Sequence, residues 1–270
     1  NCTPVQGFDP GKNRQTVNRW IVSEAVAMTG RVAQAIETYR FDDAAAALYQ
    51  FVWGVFCDWY LELVKPLLMG DDEEAKAETR TTIAWTIDQI LKLLHPFMPY
   101  ITEELWAHLV EHGEKRQSLL CLSEWPELSG RQNAQADAEI GWLIKLVSDI
   151  RSLRAEMNVN AGAKIPLVLV GATSELRDRV NRHEETIKRL ARLDDISYAD
   201  ASPKGSALIV FGDTIAALPL EGIIDLAAER KRLQKEVDKA ESDRSKAANW
   251  LANAANVAKS PAHVVELNRE

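Results

Sequence analysis

Cysteine is scarce in this chain of 270 residues. Cys2, Cys57 and Cys121 stand far apart, odd in number and with no CxxC pair. A disulfide framework or a structural zinc site is therefore not expected, and the usage fits a reducing, cytoplasmic setting. Also missing is any apolar run approaching the roughly 18 residues that a membrane span needs, so no membrane partner is expected. No signal peptide is legible, and the chain opens on Asn1 rather than Met, which reads as an excised piece of a longer protein. No G-x-G-x-x-G, G-x-x-x-x-G-K-[ST] or G-x-S-x-G string occurs, so nucleotide cradles and nucleophile elbows have no support. A surplus of positive charge is lacking too. The net charge of −8 argues against a generic nucleic-acid coat, and RNA binding would have to rest on local patches.

What is present is ordinary for a globular protein: 46% hydrophobic and 27% charged residues. The charge is uneven. Residues 1–125 hold 18 acidic and 11 basic side chains, residues 126–220 hold 13 and 12, and residues 221–270 hold 9 and 9.

Residues 1–15, punctuated by Pro4, Gly7, Pro10 and Gly11, read as a loop. A helix follows from Val17 to Tyr39, with Trp20, Ile21, Ala25, Met28, Val32 and Ile36 recurring at three- and four-residue steps. Asp42 or Asp43 can cap the next helix, which is expected to run to Val64 and end at Pro66. The acidic turn Gly70–Glu74 leads into a third helix, Ala75–Leu94, with Ile83, Ile87, Ile90, Leu91 and Leu94 on its buried face. Pro96 and Pro99 break it before a fourth helix, Tyr100–Glu111. Four amphipathic helices on short connections read as a bundle, with Trp53, Trp59, Trp85 and Trp106 as core candidates. Leu119–Leu122 reads as a short strand, and the polar stretch after Trp125-Pro126 as a boundary.

Beyond that boundary a helix spans Ala136–Met157. Lys164–Val170 is a strand, Ser174 can cap a helix to Leu193, and Ile196–Tyr198, Ala207–Phe211 and Ile215–Leu218 are further strands. From Leu226 the apolar spacing becomes heptad-like through Leu233, Val237 and Leu251, with about half of the seam small or charged. A helix from Glu221 to Ala252 would be roughly 48 Å long at about 1.5 Å per residue, and too polar to pack into a domain. Ser260-Pro261 signals one more helix. The fold class is thus mainly α: a helical bundle (1–126), a small α/β domain with a leading helix (127–220) and a projecting long helix or coiled-coil arm (221–270).

Candidate chemistry is thin. His108-Leu109-Val110-Glu111-His112 matches H-x-x-E-H, with two histidines one helical turn apart and a glutamate as base, which would make a zinc hydrolase. A third protein ligand is not evident, and two histidines at a helix C-terminus are favoured by the helix dipole alone. No metal site and no catalytic residue are assigned. The basic residues say more. Arg14, Arg19, Arg31 and Arg40 form a local excess in an acidic region, and Tyr39 and Phe41 flank Arg40. A cation beside aromatic rings can clamp an unstacked base, although a ring at a helix end commonly enters the core. On the last helix Lys231, Arg232, Lys235, Lys239, Arg244 and Lys246 could meet phosphates, or neutralise the interleaved acids.

Two strings, FVWGVFCDWYLELVKP at 51–66 and LLHPFMPYITEELW at 93–106, resemble the anticodon-binding domain of class I aminoacyl-tRNA synthetases of the valine/isoleucine/leucine type. Residues 218–225, LPLEGIID, leading into Glu229-Arg230-Lys231-Arg232-Leu233, look like the entry to the C-terminal coiled-coil arm of the valyl-tRNA synthetase family. Residues 256–262, NVAKSPA, look like that arm's turn. Order and spacing fit the family over essentially the whole chain.

The resemblance implies a tRNA-binding C-terminal portion of an ATP- and magnesium-dependent ligase that joins valine to tRNA(Val) and edits mischarged threonine. It implies that the Rossmann core, the editing domain and the first bundle helix lie upstream, and that the arm's return helix is truncated. The piece itself would hold no cofactor and be catalytically inactive. By carry-over, Arg14, Arg19, Arg31, Arg40 and Phe41 are bundle-side RNA candidates. Lys231, Arg232, Lys235, Lys239, Arg244 and Lys246 are arm candidates. A different expectation treats the chain as an interaction module that self-associates through the 226–254 seam.

Overall fold

A computed structural model describes residues 2–111, 116, 118–223, 226–252 and 266, the side chains at 226–229 excepted. The chain forms two compact units, Asn1–Ser148 and Asp149–Glu270.

The first unit is helical. Helix α1 (Thr16–Glu37) packs against α2 (Phe41–Tyr49), against a π-helical stretch (Gln50–Tyr60) and against α5 (Glu73–Leu94). Trp20, Ile21, Ala25, Met28 and Val32 are buried as their spacing predicts, and Ile36 is half-buried. Each fully buried aliphatic side chain of this kind contributes roughly 1.5–3 kcal/mol. No side chain of its own caps α1. Instead Glu78 of α5 accepts from the backbone N–H of Arg14 at 2.8 Å and of Gln15 at 2.9 Å. Asn18 of α1 ties into the same carboxylate at 2.8 Å. Asp72 caps α5 by accepting from Glu74 and Ala75, both at 3.0 Å.

The second expected helix is not continuous. Its α-helical hydrogen bonding gives way to i→i+5 bonding over Gln50–Tyr60, then resumes as α3 (Leu61–Leu63). Phe51, Phe56 and Tyr60 are buried, steps of five and four, so Trp53 falls on the other side and is 56% exposed. The helix ends at Leu63, within a residue of the expected Val64, and Pro66 also takes part in starting the next one. Pro66 occupies the first turn of α4 (Lys65–Met69), where a missing N–H costs nothing. Pro99 likewise opens α6 (Pro99–His108). Trp106 is buried with Leu91 and Leu120, while Trp59 and Trp85 are half-buried. The expected strand at Leu119–Leu122 is a short 3-10 turn. Glu103 accepts from the N–H of Leu120 at 2.7 Å and of Cys121 at 3.2 Å, which satisfies that backbone without a strand partner.

The unit boundary falls inside α7 (Ala134–Glu156). In the second unit β1 (Ile165–Val170) pairs in parallel with β2 (Leu193–Ala199), and α8 (Ser174–Ala191) connects them. Thr173, rather than Ser174, caps α8, accepting from Leu176 at 3.2 Å. Strand β4 (Thr214–Pro219) lies antiparallel between β1 and β3 (Ser206–Phe211), giving the order β2-β1-β4-β3. The β3–β4 hairpin turns on two residues, with Gly212 at φ +62° in the first central position that a II′ turn requires. Helix α9 (Leu226–Ala252) follows. The helix expected at Ser260-Pro261 lies outside the described residues. Among the described residues no helix is long and apolar enough to cross a membrane.

Candidate nucleic-acid interface

The four bundle arginines are strung along α1 rather than gathered. From Thr16 to Glu37 that helix spans about 33 Å at about 1.5 Å per residue. Arg14 precedes its start, Arg19 lies in its first turn, Arg31 in its second half, and Arg40 just past its end. Arg14 and Arg19 share a cleft of about 480 Å³ with Lys12 and Arg131. The Arg19 Nε donates to the Asn13 carbonyl at 2.7 Å, and Arg14 pairs with Glu74 at 3.1 Å in an exposed setting. Arg131 is joined to Asp9 at 2.6 Å. Arg131 escaped the sequence reading because only folding brings it beside Lys12 and Arg19.

Arg31 borders a different groove, about 690 Å³, with Glu24, Gln34 and Trp125 along it. Burial pushes the Glu24 carboxyl above its usual range, the negative charge of Asp137 adds to this, and Arg31 and a hydrogen bond from Trp20 oppose it. Asp137 accepts from the Ser23 hydroxyl at 2.7 Å through one oxygen.

At the corner after α1, Tyr39 takes φ +58°, a left-handed conformation uncommon outside glycine. This leaves Tyr39 81% and Phe41 53% exposed, with ring centroids 6.5 Å apart and planes at 88°. Phe41 therefore does not enter the core. Arg40 between them reaches the carboxylates of Asp42 and Asp43, each at 3.2 Å. The hydrogen bond to Asp42 leads in raising the Arg40 pKa, and the same bond holds the Asp42 carboxyl below its usual range. One and two helical steps beyond Ala45, Tyr49 and Trp53 continue the exposed aromatic surface, 6.5 Å between their rings. Trp53 was expected inside the core, and Tyr49 was not singled out in the sequence.

On α9, Lys231, Lys235 and Lys239 recur every four residues and are exposed, as is Arg244. Lys246 pairs with Asp243 at 2.9 Å. Arg232 is more engaged: its guanidinium meets Glu236 at 2.5 Å and donates to the Glu156 carbonyl at 3.2 Å. At the H-x-x-E-H string, His108 pairs with Glu111 at 3.2 Å, and His112 lies outside the described residues. Among the described residues no group of three or more metal-ligating side chains comes together.

A helical unit with exposed arginines and aromatic rings, followed downstream by a lysine-striped helix, narrows the comparison with known proteins. Residues 18–169 match the family described as the anticodon-binding domain of tRNA ligase. The chain belongs to that family. Residues 225–270 match, in addition, the valyl tRNA synthetase tRNA binding arm. Among relatives of this anticodon-binding family member, the valine–tRNA ligase of Caulobacter vibrioides is 50% identical over 270 residues, covering 100% of this chain and 30% of that protein. That of Bradyrhizobium diazoefficiens is 47% identical over a 304-residue alignment, 100% of this chain and 31% of the relative. That of Mesorhizobium japonicum is 51% identical over 254 residues, 94% and 27% respectively. The chain thus spans a little under a third of the length of these relatives.

Proposed function

We propose that the chain is the tRNA-binding C-terminal portion of a valine–tRNA ligase. One observation carries this: an anticodon-binding domain at 18–169 is followed, in order, by a tRNA-binding arm at 225–270. Functionally, residues 1–126 act as the anticodon-binding bundle, 127–220 as a small α/β domain, and 221–270 as the arm. Arg14, Arg19, Arg31, Arg40 and Phe41 are the bundle contacts, with Phe41 stacking a base and the arginines meeting phosphates. Lys231, Lys235, Lys239, Arg244 and Lys246 are the arm contacts, and Arg232 chiefly anchors the root of α9.

The whole protein would work in the cytoplasm, joining valine to tRNA(Val) with ATP and magnesium and hydrolysing mischarged threonyl-tRNA. The 270 residues alone are expected to bind tRNA without ligating it. Titrating tRNA(Val) and a non-cognate tRNA at two salt concentrations tests this. Cognate-selective, salt-sensitive binding is expected; indifference to tRNA at low salt would sink the proposal.

Self-association is a second reading. Leu233 and Val237 are 42% and 49% exposed on α9, an apolar seam without a covering strand among the described residues. Sedimentation over a hundredfold concentration range decides it, since a monomer throughout would remove this reading and leave tRNA binding untouched.

A further inference from the structure

The groove beside Arg31 offers more than one kind of contact. It holds about 690 Å³, a volume usual for a site that takes a small flat molecule. Its floor is helix α1, where Ala27, Gly30 and Ala33 keep the surface low. Gly30 stands in the interior of a 22-residue helix, where glycine is a costly choice. Packing within the chain does not call for it, since a Cβ on Gly30 would meet nothing within 4 Å. The glycine leaves open space over the helix backbone, into which a planar group can come close. Trp125 lines the same groove and is 37% exposed. An indole beside an open groove offers a stacking surface.

The groove changes charge along α1. Glu24 lies at its acidic end with Asp137. One Asp137 oxygen accepts from the Ser23 hydroxyl at 2.7 Å. The other is buried and has no hydrogen-bond partner among the described residues, so it acts through its charge. Trp20 supplies Glu24 with one donor, and a carboxylate can accept several. This end is therefore rich in acceptors and suits a ligand that donates. Arg31 lies two helical turns further on, about 10 Å along the axis at about 1.5 Å per residue, a separation that one nucleotide can bridge.

We propose that this groove holds one unpaired RNA base bearing an exocyclic amino group, with its ring on Trp125, its amino group donating to Glu24 and its phosphate at Arg31. Carboxylates are the side chains that accept from the cytosine amino group, and uracil has none to offer. Unpaired bases are read in this way, by stacking together with hydrogen bonds to their edges. The inference rests on the tRNA-binding reading and gives the bundle a place where one base is told from another.

The test uses the full 270-residue chain with three RNAs: tRNA(Val), hexacytidylate and hexauridylate. Gly30→Leu fills the groove. Leucine is a better helix former than glycine and meets no clash there, so the melt should be no lower than that of wild type. Trp125→Ala removes the ring, and Glu24→Ala removes the acceptor. Wild type should bind hexacytidylate about fivefold or more tightly than hexauridylate. Gly30→Leu and Trp125→Ala should weaken the binding of hexacytidylate and of tRNA(Val) about tenfold, the scale of one stacked base, and erase the preference. Glu24→Ala should erase the preference with a smaller loss of affinity, because the ring still stacks. A folded Gly30→Leu variant that keeps wild-type affinity for tRNA(Val) and the same preference overturns the proposal and leaves tRNA binding standing. Equal binding of the two hexamers by wild type also overturns it. Failure of wild type to bind any of the three RNAs removes the tRNA-binding reading, and the groove's base with it.

Discussion

Tyr60 shows how single polar atoms hold the helical unit together. It is fully buried, and its hydroxyl donates to the Asn18 side-chain oxygen at 2.8 Å. The Asn18 amide in turn donates to Glu78 at 2.8 Å and to Thr79 at 3.1 Å. Burial raises the Tyr60 pKa well above its usual value, so it remains a neutral donor. Tyr60→Phe keeps the ring and orphans the Asn18 oxygen, which costs about 1–3 kcal/mol and should appear as a lower urea midpoint with an unchanged slope. Glu24 makes the opposite case. Its folded pKa lies above the ordinary 4.5, so between those two values the native state keeps a proton that the unfolded chain has released. Stability attributable to Glu24 therefore falls as pH rises through that window and is flat above it. Glu24→Gln should be more stable than wild type at pH 7 and indistinguishable from it at pH 3.5. A larger stabilisation at the acidic pH would reverse the sign and refute the assignment.

Elements that keep a regular period were legible in the sequence; those governed by distant partners were not. Helices α1, α5 and α7 and all four strands fall within a few residues of the positions their patterns predict, because burial on one face enforces the period. The Gln50–Tyr60 stretch is apolar nearly all round, so no period of 3.6 was available to reveal or exclude its wider winding. Proline signals helix boundaries without saying which side, and Pro66 and Pro99 proved to be starts. For the candidate interface, Arg14, Arg19 and Arg40 were visible as charges, but their carboxylate and carbonyl partners were not, and Arg131 reaches its place beside Lys12 and Arg19 only through the fold. Helix α7 offers a direct check on how local its stability is. Gly141 lies exposed in it, and a Cβ there would meet nothing within 4 Å. Gly141→Ala should stabilise by about 1 kcal/mol, since alanine relieves the conformational-entropy cost of glycine in a helix. A destabilised variant would mean that α7 relies on close approach at that position.

At the scale of the whole molecule, the proposed function has an acidic protein bind a polyanion, and on that reading the tasks are separated along the chain. The net charge of −8 disfavours indiscriminate contact with RNA, so attraction has to come from local stripes, above all Lys231, Lys235 and Lys239. These lysines can meet phosphates, which are alike in every tRNA. Phe41 offers an exposed ring on which, in the proposed function, an unpaired base of any kind would stack, with Arg40 beside it meeting a phosphate. The two kinds of contact respond differently to substitution. Replacing the three lysines together by glutamine should lower the salt dependence of binding by about two to three units of slope, equally for tRNA(Val) and a non-cognate tRNA, with selectivity intact. Phe41→Ala should leave the slope unchanged and weaken binding by about 1–3 kcal/mol, since stacking carries affinity that does not depend on released counterions. Both variants change exposed side chains, so the fold is not at issue and a melt suffices as control. If the lysine variant loses selectivity, or if Phe41→Ala changes the slope, the division between an attracting arm and a stacking bundle fails, and recognition must be spread over the whole surface instead.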